Sequence, residues 1–214
     1  GYIGLGPRKV GATWYYTLEG SNIAGMQQVL AFPPDEAFFP EFTVIYTPDF
    51  MPDNMPGNQA IIVDMDTWTT YIMGPDYFGE SKKAMLRMLN HKVYGEGGLV
   101  LHAGAKSVTK KSGEKVLVTI MGLSGTGKTT TTFSEQGTLT EPVQDDMVCL
   151  WPGGELSVTE NGCFAKIEGL TPESEPVIYS GTTSSDAWVE NAYLEENGDF
   201  NFSKVYLTPI EVAR

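Results

Sequence analysis

Cysteines and cations are scarce in this chain and long apolar runs are absent, and each shortage removes a class of function. Only Cys149 and Cys163 occur in 214 residues, too few for a disulfide framework and without metal-type spacing. Reduced thiols and a cytoplasmic location are the expectation. Fourteen Lys and Arg stand against 27 Asp and Glu, a formal net charge of −13. That balance argues against a nucleic-acid backbone as the main partner, because counterion release needs clustered cations. It leaves room for a small phosphorylated ligand, whose charge a few local cations and a metal can offset. No run approaches the ~20 apolar residues of a membrane span, so no membrane partner is expected. The opening residues Gly1–Pro7 resemble neither a signal peptide nor a transit sequence, and no initiator Met is present. What remains is the composition of a globular protein with a core, 41% hydrophobic and 11% aromatic.

The patterning predicts a mixed α/β fold. Residues 11–47 read as strand, helix, strand: Thr13–Thr17 favours β, Ile23–Phe32 has helical spacing, and Phe42–Tyr46 is a second strand. Residues 48–58 are rich in Pro and form a surface loop, followed by strands at Ala60–Asp64 and Thr69–Met73. A helix is predicted over about Ser81–Asn90, with Ala84, Met85, Met88 and Leu89 on its buried face. Leu99–Ala103 is a strand, and Lys110–Glu114 a turn before the next one. Gly95–Gly98 is the best candidate boundary, dividing the chain into residues 1–97 and 98–214.

Chemistry is concentrated after that boundary. The β-branched run Val118–Met121 leads into Gly122-Leu123-Ser124-Gly125-Thr126-Gly127-Lys128-Thr129-Thr130, the Gly-x-x-x-x-Gly-Lys-Thr pattern of a phosphate-cradling loop. Glycines let consecutive backbone N–H groups turn toward phosphate oxygens. Lys128 is placed to reach the β- and γ-phosphates, and the Thr129 hydroxyl to sit on Mg²⁺. A nucleoside triphosphate is the expected ligand. The surroundings depart from the usual parallel-sheet nucleotide fold. The segment Thr129–Gln136 is Thr-rich and ends at Gly137, so at most two helical turns are expected. Asp145-Asp146 follows Glu141-Pro142-Val143-Gln144 rather than four aliphatic residues, so no standard Walker B strand is visible.

Three further features accompany the loop: Tyr77-Phe78-Gly79-Glu80-Ser81-Lys82-Lys83, the isolated His102, and Glu160–Lys166. Singly, each has a plain reading. The lysines form a solvated pair, the histidine is a satisfied core residue, Asp145-Asp146 is a turn or helix cap, and Gly162-Cys163 is a turn followed by a buried small residue. Taken in order, they resemble the ATP-dependent phosphoenolpyruvate carboxykinase family. That family has a Gly-Glu-Met-Lys-Lys segment where this chain has Gly79–Lys83, and a His nineteen residues after the second Lys, as His102 stands after Lys83. Its phosphate loop is identical to Gly122–Thr130. Its Asp-Asp pair, Glu-Gly-Gly-Cys-Tyr-Ala-Lys and Glu-Pro-Glu-Ile-Tyr segments correspond to Asp145-Asp146, Glu160–Lys166 and Glu175–Tyr179.

The resemblance implies a two-part fold, residues 1–97 being the latter part of a substrate domain and 98–214 the first part of a nucleotide domain. It implies decarboxylation of oxaloacetate and phosphorylation of the enolate by ATP, giving phosphoenolpyruvate, ADP and CO₂. By resemblance, Lys83, His102 and Asp146 bind Mn²⁺, and Thr129 holds Mg²⁺ on ATP. A lysine ligand must be neutral, so metal binding has to displace its proton. Lys82 and Lys128 offset charge during phosphoryl transfer, Asp145 orients metal-bound water, and Tyr77 lines the oxaloacetate pocket. Lys166 and Glu175 match positions near the nucleotide. The match has gaps. The family's substrate-binding Arg segment has no counterpart, and the segment matching its catalytic Arg, Asn201–Pro209, offers only Lys204. A fragment of a carboxykinase is therefore expected. The alternatives are a related kinase with another acceptor and a non-catalytic nucleotide-binding module.

Overall fold

The β-favouring runs of the first half form β1 (Tyr2–Ile3), β2 (Val10–Tyr16), β3 (Pro40–Thr47), β4 (Ala60–Asp64) and β5 (Thr69–Met73). In this computed structural model, which describes residues 1–123, 126–137 and 139–204, they make one sheet in the order β1-β2-β3-β5-β4. Strands β2, β3 and β5 are parallel, with β1 and β4 antiparallel at the edges. Parallel neighbours need a crossover, and α1 (Ser21–Leu30) supplies the one between β2 and β3. Along β3 the period-two pattern buries Phe42, Val44 and Tyr46 and leaves the alternate residues partly accessible.

The next helix, α2 (Phe78–Gly95), is longer at both ends than its sequence pattern predicted. Tyr77 stays extended and starts it, while Gly97, at φ +83°, stops it. Gly98 N–H then donates to Val93 O at 2.9 Å, so the left-handed glycine satisfies carbonyls that would otherwise be orphaned. This helix packs on β3, β5 and also β6 (Leu99–Thr109), joining the first sheet to the second.

The second sheet is antiparallel throughout. It contains β6, β7 (Lys115–Met121), β8 (Thr140–Gln144), β9 (Met147–Leu150) and β10 (Leu156–Val158). Strand β6 runs past its predicted end because both of its edges are paired. One edge takes β7. The other takes β9 against Leu99–His102 and then β8 against Ala105–Val108. Asp145 and Asp146 fall between β8 and β9, where the register also slips between Ala105 and Lys106. The sheet break explains the missing Walker B strand. A short helix, α3 (Lys128–Phe133), follows the phosphate loop, within the two turns its threonines allow.

The chain divides into two compact units, Gly1–Cys163 and Phe164–Arg214, and the passage at Gly95–Gly98 lies inside the first. The second unit has its own small core of Ile167, Leu170 and Phe202, with α4 (Pro176–Thr182) and a hairpin of β11 (Tyr193–Leu194) and β12 (Phe200–Asn201). No helix among the described residues is long and apolar enough to cross a membrane.

The start of α2 hangs on one buried hydroxyl. Tyr46 Oη donates to Pro75 O at 2.6 Å and accepts from Tyr77 N–H at 2.9 Å. Tyr46→Phe should therefore lower unfolding free energy by about 1–3 kcal/mol, the cost of leaving such groups unpaired, as read by urea denaturation. A loss within error would show that Tyr77 is positioned by other contacts.

Candidate active site

Helix α2 delivers two lysines in opposite environments. Phe78, Lys82, Met85, Leu89 and Val93 form its buried stripe, so Lys82 occupies a core position and is 1% exposed. This overturns the plain reading of Lys82 and Lys83 as a solvated pair. Lys83, one residue round the helix, is half-exposed. At the first turn, Gly79 makes room for Tyr77: a Cβ there would lie 2.2 Å from the Tyr77 ring and hydroxyl. The glycine thus fixes where the tyrosine side chain goes.

Asp146 is the meeting point of three elements. Its Oδ2 pairs with Lys82 Nζ at 2.8 Å and accepts from Lys83 Nζ at 2.7 Å, and its Oδ1 lies 2.8 Å from His102 Nε2 on β6. The β8–β9 break aims the carboxylate this way, and Ala103 N–H holds its backbone by donating to Asp146 O at 2.9 Å. Burial alone would raise the Asp146 carboxyl. The ammonium groups of Lys82 and Lys83 outweigh that effect and hold it well below the usual carboxylate range. Burial likewise opposes charge on Lys82, but Glu160 and Asp146 keep its ammonium protonated. Lys82 Nζ lies 3.1 Å from Glu160 Oε1, and that carboxylate is itself fully buried.

The neighbouring Asp145 faces the phosphate loop. Its Oδ2 accepts from Thr129 Oγ1 at 3.2 Å and from Cys163 Sγ at 3.3 Å. Its Oδ1 is buried without a hydrogen-bond partner among the described residues, and burial raises the carboxyl's pKa. Within the loop, Gly127 takes φ +90°, and a Cβ on Gly122 would lie 2.3 Å from Thr126 Oγ1. Lys128 Nζ donates to Gly122 O and Leu123 O, both at 3.0 Å, folding its charge across the loop's mouth. Thr130 lies in the first turn of α3. Ser124 and Gly125 lie outside the described residues, as does the tail beyond Lys204.

Two residues on β6 that the sequence reading left aside seat α3. A Cβ on Gly104 would lie 2.1 Å from Thr132 Oγ1, so the helix packs directly on the strand's backbone. Lys106, 7% exposed, donates to Thr131 O at 2.9 Å and to Ser134 O, placing its ammonium on the helix's last carbonyls. A lysine inside a β-run was the available signal. Glu160 and Gln144 were also passed over, although Glu160 opens a matched segment. Lys166 and Glu175 belong to the second unit. There Lys166 pairs with Glu168, and Glu175 stands immediately before Pro176 at the start of α4.

A phosphoenolpyruvate carboxykinase family profile matches residues 18–209. The chain belongs to that family. It is 33% identical over 178 residues to the phosphoenolpyruvate carboxykinase (ATP) of Cereibacter sphaeroides, a match covering 81% of this chain and 32% of that protein. The protein of the same name from Mesorhizobium japonicum is 34% identical over 182 residues, covering 80% and 32%. That of Thermus thermophilus is 32% identical over 163 residues, covering 74% and 29%. The chain spans about a third of the length of the curated relatives it matches.

The residues of this family member fit a divalent ion on one condition. Among the described residues no three His, Cys, Asp or Glu side chains are arranged to hold a metal. A divalent ion here would need Lys83 as a neutral amine beside His102 and Asp146, an N, N, O set of the kind Mn²⁺ can accept.

Two predictions follow from the geometry. Because Asp146 is depressed in the folded state, its contribution is complete above the unfolded carboxylate value of about 3.9 and is lost as pH falls through the lower native one. Asp145 and Glu160, both raised by burial, act in the opposite sense. Asp146→Asn should lower stability at pH 7 by about 1–3 kcal/mol and make metal-free unfolding less acid-sensitive than in the parent below pH ~4; parallel acid slopes would contradict this. Gly104→Ala should displace α3 and weaken MgATP binding by about tenfold, close to 1.4 kcal/mol, in calorimetric titration. Unchanged affinity would mean that α3 does not seat the loop.

Proposed function

We infer that this chain forms the metal- and phosphate-binding part of an ATP-dependent phosphoenolpyruvate carboxykinase. The observation that carries this is the convergence of Lys82, Lys83 and His102 on Asp146, next to an Asp145 bonded to Thr129 of the phosphate loop. A divalent ion bound at Lys83, His102 and Asp146 would supply Lewis-acid stabilisation of an enolate and of phosphoryl oxygens. The protein's own groups account for the rest. Lys128 and Lys82 carry cationic charge toward the transferring phosphoryl group of ATP, Lys128 from the loop and Lys82 from the helix. Thr129 would present its hydroxyl to Mg²⁺ on the nucleotide, and Asp145 would orient a metal-bound water by accepting its hydrogen bond. Tyr77, set by Gly79 and Tyr46, lines the pocket for oxaloacetate or phosphoenolpyruvate. Lys166 and Glu175 act near the nucleotide. The division of labour between residues 1–97 and 98–214 is substrate side against nucleotide side, and the working location is the cytoplasm.

The two described arginines are engaged elsewhere, Arg8 over the Trp151 ring at 3.6 Å and Arg87 with Glu80 at 2.9 Å. That favours, as a second reading, a related kinase whose acceptor needs no arginine from this chain. Coupled assay of the complete gene product with ATP and Mn²⁺ separates the two. Phosphoenolpyruvate and CO₂ formation from oxaloacetate supports the first, and phosphoryl release without oxaloacetate turnover supports the second.

The site assignment has its own test. Lys83→Ala and His102→Ala should each weaken Mn²⁺ binding by at least about tenfold, measured by electron paramagnetic resonance of the free ion. Lys128→Met should lower kcat by about 10²–10³ while sparing Mn²⁺ affinity. Mn²⁺ binding indifferent to both Lys83 and His102 would sink the metal assignment.

A further inference from the structure

A cleft of about 470 Å³ opens between β2 and α1, and the mechanism above makes no use of it. That volume is in the range of small-molecule sites. The sequence makes the space. The period-two face of β2 lines it with Ala12, Trp14 and Tyr16, and the i, i+3, i+7 face of α1 lines it with Ala24, Gln27 and Ala31. Three alanines thus stand where larger side chains would close the gap.

The outer wall, residues 32–38, is tied in place. Phe32 exchanges both backbone hydrogen bonds with Tyr2, at 2.8 and 3.0 Å. Tyr2 Oη donates to Asp35 Oδ1 at 2.6 Å, and its ring meets that of Phe38 edge-on at 5.2 Å. The cleft is therefore preformed.

Its polar groups are short of acceptors. Ser81 Oγ donates to Gln27 Oε1 at 3.0 Å, which leaves the Tyr16 hydroxyl to donate to Ser81 Oγ at 2.7 Å. Those bonds occupy the Gln27 carbonyl. Its amide nitrogen finds only the Met85 thioether among the described residues, at 3.9 Å, and sulfur is a weak acceptor. The Trp14 indole N–H is buried with no partner among the described residues, a cost that an acceptor in the cleft would relieve. No lining residue carries a charged side chain, and the Gly1 amine beside the cleft donates to Ala12 O at 3.1 Å. An anion entering here would lose hydration without gaining a cationic side chain.

We propose that this cleft binds a small, uncharged aromatic compound bearing a hydrogen-bond acceptor, such as an aromatic carboxamide. The ring packs between the alanines and the wall of residues 32–38, and the acceptor takes the Trp14 indole N–H. None of these residues belongs to the carboxylate cluster or the phosphate loop. This is a second site, and it stands or falls apart from the metal reading.

The test is equilibrium dialysis of the complete gene product against three probes of one shape. These are 1-naphthamide, naphthalene, which lacks the acceptor, and 1-naphthoate, which adds a charge. Naphthamide should bind saturably, with naphthalene and naphthoate each at least about tenfold weaker. MgATP should not displace it. Ala24→Phe, which fills the cleft, should weaken naphthamide at least about tenfold. Trp14→Phe should cut the preference for naphthamide over naphthalene by at least about threefold. Absence of saturable binding, equal affinity for the three probes, or displacement by MgATP overturns the proposal. So does a naphthamide affinity indifferent to Ala24→Phe, or an unchanged preference in Trp14→Phe. Should either variant fail to fold, the three probes and the MgATP competition decide the matter on the parent protein.

Discussion

A lysine buried in the core of a helix stripe is the constraint around which the first unit is organised. Taking an ammonium out of water costs several kcal/mol unless anions and hydrogen bonds replace the solvent. Lys82 meets that cost with two carboxylates, Asp146 and Glu160, which come from separate points of the second sheet. Holding them in reach requires α2 to lie against β6, the β8–β9 break to face the helix, and the segment after β10 to return beside Gln144. The two sheets are thus joined by electrostatics as well as by apolar packing.

Strand β6 is the second organising element. Within five residues it offers His102 to the carboxylate cluster, Gly104 to the face of α3, and Lys106 to that helix's last carbonyls. A six-residue helix rich in threonine is weak by itself. Contact with the strand's bare backbone and an ammonium on its C-terminal end supply what helix propensity does not. The phosphate loop is therefore supported from below by an antiparallel sheet rather than by the long helix and parallel sheet usual for this motif.

Local pattern made much of this visible in advance. Alternation and β-branching located β4 and β5 to the residue, and proline and glycine placed the loop before them. The ends of α2 and β6 were less legible, because Tyr77, Gly97 and the double pairing of β6 extend them through contacts with distant segments. Lys82 taken singly was the least legible residue. Its spacing from Phe78, Met85 and Leu89 is that of a core position, yet a lysine's charge argues for solvent until the carboxylates that neutralise it are known.

By itself the sequence determined the phosphate loop, the shortness of the helix after it, the mixed α/β class and membership of the carboxykinase family. These follow from glycine freedom, side-chain periodicity and ordered motifs, all of which act over a few residues or survive as spacing. Only the tertiary structure decided which carboxylate serves which cation. It gave Asp146 to three nitrogens and Asp145 to Thr129 and Cys163, although the two aspartates are adjacent and chemically identical. It also turned Glu160 and Gln144 from motif letters into a fixed chain ending on Lys82. The reason is physical: a buried charge is tolerated only where partners distant in sequence arrive together, and that arrival is set by packing.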